Sequence, residues 1–318
     1  MSIVAKSQPV FIVLSAIIGV LLGQNDLVSL NSGELIEVFL MVLLFFVFMG
    51  VDIKEITGSF ANIKFSAASL IINFLWTPLL AFILGKLLLP GHLDLQIGLL
   101  MLLVTPCTDW YLIFTGISRG NVPLGSSILP MNLILQILLL PVYLWLFMGN
   151  SVSFAPSQMI ISILMVLVMP LTCANLIKWI IRETKYKDRF LDFISRHNDN
   201  MQLLFLCLAV IAMFASQGKL ILENPVVFIK LFLPLIIFFA INFVLAILVG
   251  KKLEMPFEDT IALLFTTSAR NSPVSLAIAI IAFPSQPMIA LALVIGPLIE
   301  LPILGLDSSI LNWINRKR

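Results

Sequence analysis

Thr105-Pro106-Cys107-Thr108-Asp109 is the stretch whose reading decides the fold. It interrupts an apolar segment, Leu95 to Ile117, that is long enough to cross a bilayer at about 20 residues per span. A proline inside such a segment breaks the helical ladder. An unpaired carboxylate in hydrocarbon costs a few kcal/mol or more. Both are tolerated where the segment lines a polar cavity. A second interruption, Thr266-Thr267-Ser268-Ala269-Arg270-Asn271-Ser272-Pro273, lies late in the chain.

Composition sets the surroundings of these two breaks. Of 318 residues, 60% are hydrophobic and 11% charged, with mean hydropathy +1.09. A soluble domain is about half apolar and a quarter charged, so the chain reads as a polytopic membrane protein. A net charge of +2 gives no reason to expect a nucleic-acid partner. Cys107, Cys173 and Cys207 form no CxxC pair, and His92 and His197 read as loop residues. No metal site or cofactor is therefore expected. The apolar run from Pro9 to Leu22 has no small-residue cleavage site before Gln24 and reads as a retained first span.

Ten apolar segments follow one another, at 8–23, 35–52, 65–89, 95–118, 123–148, 157–181, 200–217, 226–250, 258–283 and 287–310. The one long polar connection, Lys178 to Asn200, separates two sets of five, giving repeats at 1–156 and 157–318. With the N-terminus inside, 15 of the 19 Lys and Arg residues fall in cytoplasmic segments. Lys86, Lys219 and Lys230 fall outside, and Arg270 lies within the membrane. The positive-inside rule then places both termini in the cytoplasm.

The two sets share local sequence. Ile72-Asn73-Phe74 ahead of Gly85-Lys86 parallels Ile241-Asn242-Phe243 ahead of Gly250-Lys251, and Leu102-Leu103-Val104-Thr105 parallels Leu263-Leu264-Phe265-Thr266. Five is odd, so the second copy must be inverted. Inverted repeats with paired broken helices mark secondary transporters that bind solute near the midplane. The expected fold is thus all-α, with ten transmembrane helices in two inverted five-helix repeats and broken, crossing helices four and nine.

Counting on from the shared Leu-Leu-x-Thr sets Asp109 opposite Arg270, as a structural ion pair or as one altered during transport. Cys107 is the soft ligand of the first break, whereas Cys173 and Cys207 read as small packing residues. Thr105, Thr108, Ser268 and Asn271 add hydroxyl and amide groups in the breaks. Asn132 and Gln136 share a helix face one turn apart. Glu300, between Pro297 and Pro302, is either a proton carrier or an acid that stabilises the kinks.

At these residues the chain resembles the bile acid/sodium symporter superfamily, and within it the arsenite-efflux branch. The resemblance rests on Pro106-Cys107-Thr108, Arg119-Gly120-Asn121, Asn132, Leu276-Ala277-Ile278-Ala279 and Gly296-Pro297-Leu298-Ile299-Glu300-Leu301-Pro302. It implies a ten-span, two-repeat fold whose spans four and nine are broken and cross. Sodium-coupled members carry a Ser-Asn pair where this chain has Tyr111-Leu112, and an acid and a glutamine where it has Thr266 and Arg270. The arsenite branch carries a glutamate where this chain has Ser275. Proton coupling through Asp109 or Glu300 is therefore the expectation.

The leading reading is a secondary active transporter of the plasma membrane, not an enzyme, that exports arsenite or antimonite. Its substrate-binding groups would be Cys107, Thr105, Thr108, Asn132, Ser268 and Asn271, with Asp109, Arg270 and Glu300 serving coupling. The alternative is a carrier of small organic anions that uses Arg270. The expected partners are the lipid bilayer, a small inorganic or anionic solute, and a proton.

Overall fold

A computed structural model describes residues 3–50, 62–108, 110–149, 168–182, 184, 187–223 and 225–317. Among these the chain is helical, and the one extended contact is an isolated bridge. The helices are α1 (Ile3–Leu22), α2 (Asp26–Gly50), α3 (Ile63–Leu88), α4 (Leu93–Val104), α5 (Trp110–Ile117) and α6 (Val122–Met148). They continue with α7 (Met169–Arg182), α8 (Lys187–Glu223), α9 (Pro225–Lys252), α10 (Phe257–Ser268), α11 (Ser272–Ala282) and α12 (Pro287–Lys317). Six of the described helices contain stretches long and apolar enough to cross a membrane: α2, α3, α6, α8, α9 and α12.

Two sequence expectations are corrected here. The polar connection Lys178–Asn200 is mostly helix, since α7 runs to Arg182 and α8 begins at Lys187. His197 is therefore on a helix and not in a loop, its Nδ1 2.9 Å from the Phe193 carbonyl. Charged residues are good helix formers on a wet face, and Asp192 pairs with Arg196 one turn on at 2.9 Å. The second interruption is also shorter than expected. Helix α10 continues through Ser268, and Pro273 sits in the first turn of α11, where a missing N–H costs nothing. Residues 157–167 of the expected sixth span lie outside the described residues.

The chain divides into two compact units. One comprises Met1–Asp52, Ala155–Asn224 and Leu276–Pro284. Its centre is α8 packed on α1 and α2. Close approach there depends on Gly19 and Gly23, where an added Cβ would lie 2.6 Å from Ile211 O and 2.3 Å from Ala215 O. Two glycines four residues apart let helix backbones meet without side chains between them.

The other unit comprises Ile53–Phe154, Pro225–Ser275 and Ser285–Arg318. At its heart lie α4 and α10. Leu95–Val104 and Asp259–Ser268 are buried on every face. Helices encased in this way can carry polar breaks that a lipid-facing helix cannot. Gly98 seats α4 on α12, since a Cβ there would fall 2.5 Å from Ala292 Cβ. Helix α3 carries a π turn at Ile72–Trp76. That turn holds Asn73, and the Phe74 carbonyl accepts the Tyr143 hydroxyl of α6 at 2.6 Å. The Arg119-Gly120-Asn121 motif turns the chain after α5. Arg119 takes φ 61°, and Gly120 N–H reaches back to Thr115 O at 2.7 Å, which is a helix-ending motif. A side chain on Gly120 would strike Ile261 at 2.5 Å. Asn121 then caps α6 through Leu124 N–H at 3.1 Å, and its amide is held by Asp259 at 2.8 Å.

Candidate functional site

The two interruptions meet backbone to backbone. Pro106 and Arg270 form an antiparallel bridge. Cys107 N–H donates to Ala269 O at 3.0 Å, and Asn271 N–H donates to Thr105 O at 2.8 Å. Each break thus supplies partners for groups the other has released from its helical ladder, which a buried crossing requires.

An account of the last carbonyls of each half-helix explains the surrounding side chains. In α10, Arg270 N–H is diverted to Glu300 Oε1 at 2.9 Å and Asn271 N–H to the bridge. The carbonyls of Thr266 and Thr267 thereby lose their i+4 donors. Asn73 Nδ2 serves Thr266 O at 3.2 Å, and Asn242 Nδ2 serves Thr267 O at 3.0 Å. Arg270 Nε serves Ser268 O at 3.0 Å. In α4, Pro106 has no N–H to offer Leu102 O, and the Thr105 hydroxyl lies between Met101 O at 2.9 Å and Leu102 O at 3.1 Å, within reach of either. The Thr105 hydroxyl is also 2.6 Å from Ser275 Oγ, which donates to Met101 O at 3.0 Å. Leu103 O, whose donor Cys107 N–H has gone to the bridge, accepts Arg270 Nη1 at 2.9 Å.

Arg270 is therefore central to the crossing. It is 1% exposed, and its guanidinium serves both half-helix C-termini. Besides Leu103 O and Ser268 O it donates through Nη2 to Asn73 Oδ1, at 3.3 Å, and to Thr267 O. Phe238 lies against it with the ring centroid 5.1 Å from Cζ. A cation favours helix C-termini, where carbonyl dipoles sum. Asp109, its expected partner, lies outside the described residues.

The remaining candidates divide by what their polar atoms do. Cys107 is buried, and its sulfur accepts the Trp110 N–H at 3.2 Å, capping α5. Asn271 does the same at the other break, accepting Val274 N–H at 3.3 Å, while its Nδ2 lies 3.4 Å from Thr108 Oγ1. Thr105 is engaged with protein partners on α4 and at Ser275. Asn132 and Gln136 stand apart, on α6 beside α4. Both are buried, and among the described residues none of their four amide atoms has a hydrogen-bond partner. Ser268 Oγ and Thr266 Oγ1, near the end of α10, are likewise buried and without partners. Such atoms cost about 1–3 kcal/mol each unless something else meets them.

Sequence reasoning missed several members of this site. Asn73 and Asn242 were legible as repeat markers, but their task of serving the end of α10 was not. A buried amide in an otherwise apolar span was the available signal. Apart from the crossing, a buried carboxylate on α12, Asp307, was also passed over. It is 7% exposed, its Oδ2 has no partner among the described residues, and it lies two turns beyond Glu300 on the same face. Among the described residues, no group of three His, Cys, Asp or Glu side chains could hold a metal ion.

Interrupted helices that meet at their breaks, with buried polar side chains around the crossing, are the arrangement that secondary transporters use to bind solute. The family model described as the Sodium Bile acid symporter family matches residues 37–224, and the chain belongs to that family. It is accordingly a multi-pass membrane protein of a transporter family. It is 25% identical, over 99% of its length, to Arsenical-resistance protein Acr3 of Corynebacterium glutamicum, of which it covers 90%. It is 21% identical, over 85% of its length, to Arsenical-resistance protein Acr3 of Alkaliphilus metalliredigens, covering 78% of that protein. Uncharacterized protein YbaS of Bacillus subtilis is similar end to end, at 25% identity and 98% coverage of both chains.

Proposed function

We propose that this chain exports arsenite or antimonite across the plasma membrane, coupled to protons and not to sodium. The supporting observation is similarity along 99% of the chain to a protein named for arsenical resistance, together with a buried thiol, Cys107, at the helix crossing. Trivalent arsenic is thiophilic, and a cysteine sulfur is the soft ligand it prefers. The Cys107 thiol exchanges with one hydroxyl of As(OH)3, forming an As–S bond and releasing water, and the reverse step frees the solute. No electrons are transferred. The amides of Asn132 and Gln136 and the hydroxyl of Ser268 have unused bonding capacity for the remaining hydroxyls. Thr108 and Asn271 complete the polar set, and Thr105 holds the crossing together. Glu300, bonded to the backbone of the second break, is the first candidate for the exchanged proton, with Asp109 second.

The same proposal includes ten spans in two inverted repeats, 1–156 and 157–318, with both termini in the cytoplasm. The lysine and arginine distribution supports that orientation. The organic-anion reading has less support, because the Arg270 guanidinium already donates to four protein acceptors.

The test is arsenite accumulation in cells that lack their own exporter. Cells making the protein should accumulate less arsenite, and Cys107→Ser should abolish the difference. Glu300→Gln should remove the dependence of efflux on the proton gradient. Equal accumulation with and without the protein refutes the arsenite reading.

A further inference from the structure

We propose that Arg270 is a tethered cation, a guanidinium held where two half-helix C-termini converge so that the crossing needs no free monovalent cation. The converging groups are all oxygens: Leu103 O from α4, Thr267 O and Ser268 O from α10, and Asn73 Oδ1 from the π turn of α3. Carbonyls at the ends of broken helices are the groups that coordinate small cations in membrane transporters. They carry partial negative charge with no helical donors left to neutralise it. Here one buried side chain neutralises both ends at once.

Its placement is fixed from several sides. The Arg270 backbone N–H is anchored by Glu300 and its ring neighbour is Phe238. The bridge to Pro106 fixes the main chain on which it stands. A diffusible cation would leave and return with each change of the crossing. A covalently attached one stays, so the positive charge at the crossing is constant through any cycle and cannot supply coupling. This assignment deepens the sodium-independent part of the proposed function, yet its test uses no transported solute. Failure of the arsenite reading would leave it standing.

The experiment is thermal melting of the purified protein in detergent, in NaCl, in choline chloride of equal ionic strength, and in choline chloride with low-millimolar guanidinium. Wild type should melt at the same temperature in all three. Arg270→Ala should melt several degrees lower in choline and regain part of the loss, saturably, with sodium or guanidinium. A ligand that binds only the folded state stabilises it by mass action. Arg270→Lys keeps a tethered charge and should stay indifferent to sodium. Should Arg270→Ala fail to fold, Arg270→Gln, neutral and bulky, replaces it in the same comparison with Arg270→Lys. A saturable sodium response in wild type overturns the proposal. So does a neutral variant that melts alike in all three media.

Discussion

Replacing Asn73 with alanine tests the carbonyl accounting at the crossing most directly. Asn73 is fully buried, donates to Thr266 O at 3.2 Å and accepts from Arg270 Nη2 at 3.3 Å. Thr266 O has no helical donor, because Arg270 N–H goes to Glu300. Truncation therefore leaves one carbonyl orphaned and one charged donor short of an acceptor. An orphaned buried group costs about 1–3 kcal/mol and a lost bond to a charged group adds to that, so the expected loss is roughly 2–4 kcal/mol. Asn242→Ala is the internal comparison. It also removes a bond to a terminal carbonyl of α10, but Thr267 O keeps Arg270 Nη2. The half-buried Trp76 Nε1 loses its acceptor, and the expected cost is only about 1 kcal/mol. Melting of the two purified variants beside wild type should show Asn73→Ala lower by several degrees and Asn242→Ala by clearly less. Equal shifts, or the reverse order, would refute the assignment of these asparagines to unequal carbonyls.

Two further outcomes are expected. Asn132→Leu and Gln136→Leu remove buried amides that have no partner among the described residues. Each should leave melting unchanged or raise it, while solute transport falls steeply, as groups kept for function and not for stability behave; lower melting in both variants would count against a binding role. Gly98→Ala puts a Cβ 2.5 Å from Ala292 Cβ and 3.0 Å from Ile289 O. It should destabilise by about 1–3 kcal/mol, read as a lower melting temperature, whereas Gly33→Ala in α2, with nothing within 4 Å of the added atom, should be neutral or slightly stabilising.

The sequence by itself determined that the chain is largely helical and that it breaks at Pro106 and beside Arg270. Both properties are local. Apolar runs of span length report burial in lipid or protein, and Pro106 removes an N–H wherever it is placed. The turn after α5 was equally legible, since Arg119-Gly120-Asn121 ends one helix and caps the next with its own residues. The boundaries of α8 were not, because charged residues form helices and connections alike.

Only the tertiary structure decided the partners. Asn73 and Arg270 are separated by 197 positions, and Leu103 and Arg270 by 167. Nothing in the spacing of either segment encodes these pairings. The sequence placed Arg270 in a membrane span and offered as its counter-charge Asp109, which lies outside the described residues. Packing of α4 and α10 around the crossing sets it against carbonyl oxygens from both broken helices. The same packing sets the Thr105 hydroxyl 2.6 Å from Ser275 Oγ, 170 positions away. It also gives Glu300 a bond to the far break, from the Arg270 N–H 30 positions away. A broken helix must have its freed backbone groups met by something, and sequence reveals the deficit. Which groups meet it depends on three-dimensional proximity alone.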